Sequence, residues 1–237
     1  MSLTDADTET VRTTDPAAFI MNGASDPAAV LRRARESLGP EVAILSSFGA
    51  ESAVLLAFAA EADPDFPVLF LNTGQHFPET LEYRAALADS LGLRNVINIS
   101  PSEKAIHDRD PEGQLWAFDP DACCALRKVE PMNLASAGYR ALVTGRKRSQ
   151  AMTRHRLEIV QTEADDSLRI NPLADWTPEE LEAEMTRRNL PRHPLTQRGY
   201  PSIGCAPCTQ PVGEGDDPRA GRWAGFSKTE CGIHRAV

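Results

Sequence analysis

The sequence lacks the long hydrophobic runs of a membrane protein, since no uninterrupted apolar stretch approaches the ~20 residues of a spanning helix. Its first residues, MSLTDADTETVRTTDP, contain neither the basic nor the apolar segment of a signal peptide. It also lacks a basic surplus, because 34 acidic residues outnumber 25 basic ones and give a formal net charge of -9. We therefore expect a cytoplasmic protein whose partners include neither nucleic acid nor a membrane surface.

Cysteine is scarce too, with five in 237 residues. An odd number in a reducing compartment argues against structural disulfides. Cys123 and Cys124 are adjacent, Cys205 and Cys208 form a C-x-x-C pair, and Cys231 stands apart between an acidic residue and a glycine. This grouping predicts four ligating thiolates, which suit either an iron-sulfur cluster or zinc, and one exposed, reactive thiol.

Strand-like and helix-like segments alternate along the chain. DPAAVLRRARESLGP has helical spacing, EVAILSSFGAESAVLLAFAAEA predicts a strand, a small-residue turn and a helix, and DFPVLFLNTG repeats the strand and turn. The alternation continues through about residue 145, and TPEELEAEMTRRNLP predicts a later helix with Thr177 as N-cap and Pro178 at its first position. The pattern predicts an α/β fold, with a parallel sheet flanked by helices and an irregular C-terminal remainder.

The first strand-to-helix turn, SSFGAES, is rich in small residues. Ser46, Ser47, Gly49 and Ser52 lie where backbone N–H groups and a helix dipole favour an anion. The turn has no Walker lysine, and small residues at this place also suit a simple tight corner. The second turn, LNTGQHFPET, contributes further candidates for holding a nucleotide at the carboxyl end of the next strand: Asn72, Thr73 and Gly74.

Taken together, SSFGAES, NTGQHFPET, CCALRK, GRKRSQ, IGCAPC and TECGIH resemble the motifs of the assimilatory adenylylsulfate reductases, in the same order. The resemblance covers roughly residues 40 to 235. It implies an adenine-nucleotide α-hydrolase-like (PP-loop) fold in which the first turn holds phosphate or sulfate. It also implies a [4Fe-4S] cluster on Cys123, Cys124, Cys205 and Cys208, and adenosine 5'-phosphosulfate as the preferred substrate over the 3'-phosphorylated form.

Such a substrate requires positive charge, and lysine is limited to four residues. Lys128 follows Cys124 by four positions, one turn along a helix, where it would lie beside both the cluster and the anionic end of the substrate. The resemblance favours Arg148, Arg219 and Arg222 as further substrate-binding residues. A solvent-exposed position is the alternative for each cation, and it is favoured for three: Arg146, Lys147 and Arg154.

The resemblance assigns Cys231 as the nucleophile that attacks the sulfate sulfur, releases AMP and becomes an S-sulfocysteine. His234, three residues later, would favour the thiolate. A mobile tail would then present the thiosulfonate to thioredoxin or a similar dithiol, and sulfite would leave. The implied pathway is sulfate assimilation and cysteine biosynthesis.

Three parts of the chain are predicted: a mobile N-terminal segment over residues 1–25, a nucleotide- and cluster-binding α/β domain over 26–215, and a catalytic tail over 216–237. The sequence leaves open three other functions. These are reduction of the 3'-phosphorylated substrate, tRNA thiolation by a PP-loop enzyme, and a metal-bound adaptor with one reactive cysteine. Homo-oligomerisation is left open as well.

Overall fold

The computed structural model of the chain describes residues 15–24, 26–150, 152–213, 215–228 and 231–234. Within them, six strands form one sheet in the order β3-β2-β1-β4-β6-β5. The strands are β1 (Val42–Ser46), β2 (Val68–Leu71), β3 (Val96–Ile99), β4 (Ala141–Val143), β5 (Val160–Thr162) and β6 (Leu168–Ile170). All neighbours are parallel except β5, which runs antiparallel to β6. The predicted α/β class is confirmed.

Helices flank the sheet. They are α1 (Pro16–Met21), α2 (Pro27–Leu38), α3 (Ser52–Ala62), α4 (Pro78–Leu91), α5 (Glu103–Arg109), α6 (Leu115–Phe118), α7 (Pro120–Cys124), α8 (Glu130–Ser136) and α9 (Pro178–Arg187). The N-cap predicted for α9 is confirmed, because Thr177 Oγ1 accepts from Glu180 N at 3.2 Å and the Glu180 carboxylate accepts from Thr177 N at 2.8 Å. After α9, the described residues form short 3-10 turns, such as Ala206–Cys208 and Gly232–His234.

The central strands are apolar on both faces because each face packs against helices. In β1, Val42 and Ile44 belong to one buried cluster, while Ala43 and Leu45 belong to another on the opposite face. Helix α3 is apolar around its whole circumference, and seven of its eleven residues are buried. This double burial fixes the carboxyl end of β1, from which the first turn emerges.

Helix α1 lies within the segment predicted to be mobile. Ile20 has no exposed surface and packs in the main core, so residues 15–24 belong to the fold. Asp15 caps the helix by accepting from Ala17 N at 3.0 Å. The prediction was wrong for this stretch because one buried isoleucine on a six-residue helix leaves almost no periodic pattern. Residues 1–14 lie outside the described residues.

The hairpin of β5 and β6 was also missed, since the predicted alternation ended at about residue 145. Each of these strands has only three residues, which is too short for a recognisable alternation of apolar and polar side chains. Their pairing depends on β4, which lies parallel to β6 and supplies the partner that stabilises it. Across the described residues, no helix combines the length and the apolar character needed to span a membrane.

Candidate functional site

A cleft of about 230 Å³ opens at the carboxyl ends of β1 and β4, next to β2. The chain leaves β1 toward β2 on one side and returns to β4 on the other, which is where open parallel sheets bind ligands. Both predicted turns, the loop with the C-x-x-C pair and the tail contribute to its lining. The lining includes Ser46, Ser47, Gly49, Ser52, Thr73, His76, Lys128, Arg146, Lys147, Gln150, Arg154, Ser202, Gly204, Cys205, Arg219, Arg222, Trp223 and Cys231.

The first turn is held by its own side chains. Ser46 Oγ accepts from Phe48 N at 3.1 Å, and Phe48 is fully buried with its ring edge-on to Phe70 at 5.6 Å. Phe48 adopts a φ of 50°, which is unusual for a bulky residue and is stabilised here by that burial. Ser47, Gly49 and Ser52 consequently border the cleft at the N-terminus of α3, where the helix dipole favours an anion.

Of the three residues predicted in the second turn, Thr73 lines the cleft. Its hydroxyl lies 3.3 Å from Cys205 Sγ, and its carbonyl accepts from Arg127 Nη1 at 2.8 Å. Asn72 and Gly74 lie outside the lining and shape the turn, since Asn72 Oδ1 accepts from Gly74 N at 3.2 Å. Gly74 has a φ of 71°, a left-handed conformation that favours glycine.

A buried ion pair between Arg127 and Asp110 supports this second turn. Arg127 Nη2 donates to Asp110 Oδ2 at 2.6 Å, and both side chains are almost fully buried. The same guanidinium reaches Thr73 O, so the turn is tied to the end of α5. Removing either member would leave an uncompensated buried charge, which is strongly destabilising.

Lys128 lies in the cleft, as its spacing from Cys124 predicted, but its backbone differs from the expected α-helix. Residues Ala125–Val129 form a π-helical segment between α7 and α8. Burial acts to lower the pKa of the Lys128 ammonium, but the nearby sulfur groups of Cys205 and Cys231 outweigh burial and raise it. Lys128 therefore carries a positive charge between the two groups of cysteines.

Arg219 and Arg222 also line the cleft. The Arg222 guanidinium stacks over the Trp223 ring at 4.6 Å, and its Nη1 lies 3.4 Å from Ser202 Oγ. Burial, followed by the positive charge of Arg219, lowers the pKa of Arg222, which remains charged near neutral pH because an arginine starts from such a high value. The two arginines thus concentrate positive charge in one wall of the cleft.

The structure does not bring Arg148 to the cleft. Its Nε donates to Leu157 O at 2.7 Å and its guanidinium pairs with Asp175. Lys147 takes the inner position instead, with only 2% of its surface exposed and its Nζ 2.8 Å from Glu51 Oε2. Burial lowers the pKa of Lys147.

The surface interpretation of GRKRSQAMTRHR was therefore wrong for three cations, because Arg146, Lys147 and Arg154 all line the cleft. Lys147 and Arg154 are buried, and Arg146 is half-buried, with its Nε 3.1 Å from Thr144 Oγ1. The turn after β4 points this segment inward, since Arg148 N donates to Ala174 O at 2.9 Å. The alternation of strands and helices in the sequence predicts a turn after β4, but it does not predict which side chains of that turn face the cleft.

Cys231 is buried, with 7% of its surface exposed, so the exposure expected from its polar neighbours was wrong. It packs in a small cluster with Cys124 and Trp223, against which Cys208 and Ile233 lie. The tail folds back over the cleft and supplies apolar neighbours that are distant in sequence.

Cys231 lies beside the Cys124 thiol in this cluster. Hydrogen bonding with Cys124, opposed by burial and assisted by the positive charges of Lys128 and Arg222, lowers the pKa of Cys231 well below its usual range. Lys128 and Arg222 lower the pKa of Cys231 whether or not Cys124 is protonated. The cleft therefore favours a Cys231 thiolate, which is the nucleophilic form.

The four other cysteines approach the same space from two sides. Burial, and then the neighbouring Cys205, raise the pKa of the Cys123 thiol to about 11, and Cys208 contributes as well. Cys124 and Cys208 meet in the cluster around Trp223. As donors, four gathered thiols fit a soft metal or an iron-sulfur group. In the ranges that the structure describes, no three cysteine, histidine or acidic side chains are already arranged to hold a metal ion.

His234 closes the 3-10 turn Gly232–His234, but its side chain lies outside the described residues, so its predicted role stays a prediction. His76 was not anticipated. It lines the cleft, its Nε2 lies 2.8 Å from Leu71 O, and its ring stacks on Phe70 at 5.0 Å. Its position after the NTG turn was the available sequence signal.

Residues 41–211 match the model of the phosphoadenosine phosphosulfate reductase domain. The adenosine 5'-phosphosulfate reductase of Mesorhizobium japonicum is 51% identical, over 86% of this chain and 80% of its own length. The enzyme of the same name from a Chelativorans strain is 52% identical, over 81% of this chain and 78% of its own.

Among solved structures, the phosphoadenylyl-sulfate reductase from Candida auris, in a phosphate complex, superposes with a TM-score of 0.68. It is 25% identical in sequence, and the match covers 90% of this chain and 99% of that one. The predicted PP-loop-like architecture is thereby confirmed. The protein belongs to the phosphoadenosine phosphosulfate reductase family.

Proposed function

We propose that this protein reduces adenosine 5'-phosphosulfate to sulfite and AMP, with thioredoxin or a similar dithiol as reductant. The observation that carries the proposal is the position of Cys231, which lines the same cleft as both nucleotide-type turns and has Lys128 and Arg222 beside it. Curated relatives that match most of this chain carry the name of that reductase.

In the binding step, the first turn receives the phosphate and sulfate oxygens. Ser47, Gly49 and Ser52 stand at the N-terminus of α3, where the helix dipole attracts anions. Lys147 adds a buried ammonium that Glu51 holds in place, and Arg219 and Arg222 add forked donors on the opposite wall. This concentration of positive charge favours an anionic ligand over a neutral one.

In the chemical step, the Cys231 thiolate attacks the sulfur of the sulfate group. A sulfur–sulfur bond forms, the bond between that sulfur and the bridging oxygen breaks, and AMP leaves with the electron pair on its phosphate. Lys128 neutralises charge on the transferred group in this step, because its ammonium lies near Cys231 and Cys205. The product is a thiosulfonate on Cys231.

In the second exchange, a thiolate of the dithiol reductant attacks the Cys231 sulfur and expels sulfite. Its second thiol then resolves the mixed disulfide, which returns Cys231 to the thiol and oxidises the reductant. Two electrons pass from the dithiol to the sulfate sulfur. We place this reaction in the cytoplasm, in sulfate assimilation toward cysteine, because a reduced dithiol must be available there.

The cofactor in this proposal is a [4Fe-4S] cluster held by Cys123, Cys124, Cys205 and Cys208. When bound, it would supply structural support and a local electrostatic field, and the electrons would come from the dithiol. The mutual proximity of Cys123, Cys205 and Cys208 supports this donor set.

The 3'-phosphorylated nucleotide is the competing substrate. It would need a further cation near the ribose, and Arg146, Lys147 and Arg154 of the cleft are candidates for that contact. The deciding experiment measures sulfite release with thioredoxin for both nucleotides and compares kcat/KM.

We expect a clear preference for adenosine 5'-phosphosulfate. Equal kcat/KM values would contradict the preference but keep the reductase. The absence of sulfite from both nucleotides, with ATP-dependent AMP formation on added tRNA, would replace the reductase by the thiolation enzyme.

A further inference from the structure

Much of the predicted mobile tail is fixed to the body of the protein. Gln210 N donates to Gly221 O at 2.8 Å, and Trp223 N donates to Cys208 O at 2.9 Å. The Trp223 side chain is 3% exposed. A backbone paired in this way cannot swing as one unit from residue 216.

Lys228 lies three residues before the reactive cysteine and is fixed to the body of the protein. Its ammonium pairs with Asp121 of α7 and lies 5.6 Å from the centre of the Trp223 ring. Only 8% of the lysine surface is exposed. Burying an ammonium costs free energy unless a carboxylate and an aromatic face replace its water. Both are present here, so the surroundings of position 228 suit a lysine.

Asp121 connects this contact to the cysteine groups. It lies on the five-residue helix that carries Cys123 and Cys124, while Lys228 precedes Cys231 by three residues. The ion pair therefore joins the two segments whose cysteines, Cys124 and Cys231, pack in one buried cluster. With Lys228 fixed, the Cα atom of Cys231 can move no more than about 11 Å from that of Lys228.

We propose that Asp121, Trp223 and Lys228 form a positioning brace that holds Cys231 in the cleft. This inference rests on the proposed function for its catalytic consequence. Lys228 does not touch the reacting atoms; it acts through Cys231. Loss of the ion pair exposes the Cys231 thiol and slows its attack on bound nucleotide.

The test uses the full-length protein as purified with its metal content. Lys228→Met keeps the apolar stem of the lysine and removes its charge, whereas Asp121→Asn removes the partner charge. Lys228→Arg serves as the conservative variant. Lys104→Met is the matched control, because Lys104 pairs with Asp108 across one turn of α5 with 84% of its side-chain surface exposed.

The first readout is the rate at which iodoacetamide alkylates Cys231, followed by mass spectrometry of the tail peptide with and without AMP. We expect Lys228→Met and Asp121→Asn to raise this rate on the order of tenfold and to weaken protection by AMP. Lys104→Met should match the unmodified protein, and Lys228→Arg should lie close to it.

The second readout is steady-state sulfite formation. We expect kcat to fall on the order of tenfold in both charge-removing variants, with the nucleotide KM changed less than about twofold. The double variant should cost no more than either single one, because both remove the same contact. Iron content and Tm, measured alongside, separate loss of the brace from general misfolding.

Unchanged alkylation rates in both charge-removing variants would overturn the brace. Additive effects in the double variant would overturn it as well, because the two residues would then act separately. If the protein forms no sulfite from either nucleotide, the proposed function fails, but the alkylation comparison still decides whether the ion pair positions Cys231.

Discussion

The guanidinium of Arg222 packs directly on Gly204, and a Cβ atom added to that glycine would lie 2.6 Å from Cζ of Arg222. Gly204 is not in the left-handed region, so its lack of a side chain serves the arginine rather than the backbone. The position of Arg222 in the cleft wall therefore requires a residue without a side chain at position 204.

Gly204→Ala should displace the Arg222 side chain and leave the backbone in place, because a guanidinium is the far end of a flexible side chain. We expect the nucleotide KM and the Kd for AMP to rise on the order of tenfold, the cost of one lost charge-assisted hydrogen bond. Gly138→Ala is the control, since the added methyl group meets open space there. Equal KM values in the two variants would argue against a substrate-binding role for Arg222.

From the four cysteines proposed as cluster ligands, we predict the iron content of the purified protein. Protein purified without oxygen should be brown and contain about four iron and four sulfide per chain. Cys123→Ser should lower the iron content, whereas Cys231→Ser should not. Elemental analysis and the visible spectrum measure both. Stoichiometric zinc without iron would contradict the cluster and favour the other metal that four thiolates suit.

Cys231→Ser should abolish sulfite formation, with a decrease of at least ~1000-fold, because a serine hydroxyl cannot form the thiosulfonate. AMP binding, measured by calorimetry, should be retained, since the first turn and the cationic wall do not depend on that sulfur. Substantial remaining turnover would mean that another group is the nucleophile.

His193 predicts a pH dependence of stability. Its imidazole is fully buried, Nδ1 accepts from Leu195 N at 3.2 Å, and Nε2 lies 3.0 Å from Thr80 Oγ1. Burial lowers the pKa of His193 from its ordinary 6.5 to about 4, although the nearby Glu79 carboxylate opposes this. The folded state therefore binds the proton less readily than the unfolded chain.

It follows that the free energy of unfolding is highest above pH 6.5 and falls as the pH drops toward about 4, below which this contribution is constant. The loss is on the order of 2 kcal/mol after allowance for screening by solvent. Urea titrations at several pH values measure it, with His193→Gln as the comparison. If both proteins lose the same free energy over this interval, the histidine is not responsible.

The sheet and the cleft were predictable from sequence to different extents. The strands β1 and β2 with their small-residue turns gave a clear pattern because buried parallel strands are apolar on both faces. The two three-residue strands of the hairpin gave none, since their stability comes from β4 rather than from their own sequence. Short elements are determined by neighbours that sequence periodicity cannot reveal.

Charged side chains illustrate the same limit at the site. Arg148 was favoured for the cleft, yet it pairs with Asp175, while Lys147 lies inside with Glu51. Adjacent residues on an irregular segment point in different directions, and only the path of the chain after β4 decides which one faces the cleft. The predicted ligand set of four cysteines stays a prediction, which the proximity of Cys123 to Cys205 and Cys208 supports.

The two edges of the sheet bear on how the protein could assemble. The edge strands, β3 and β5, have only four and three residues, and β5 runs antiparallel to its neighbour. Edges this short offer few free backbone groups for pairing with another chain. A second copy of the protein should therefore associate through helix faces or loops, and strand exchange between subunits is not an expected route to an oligomer.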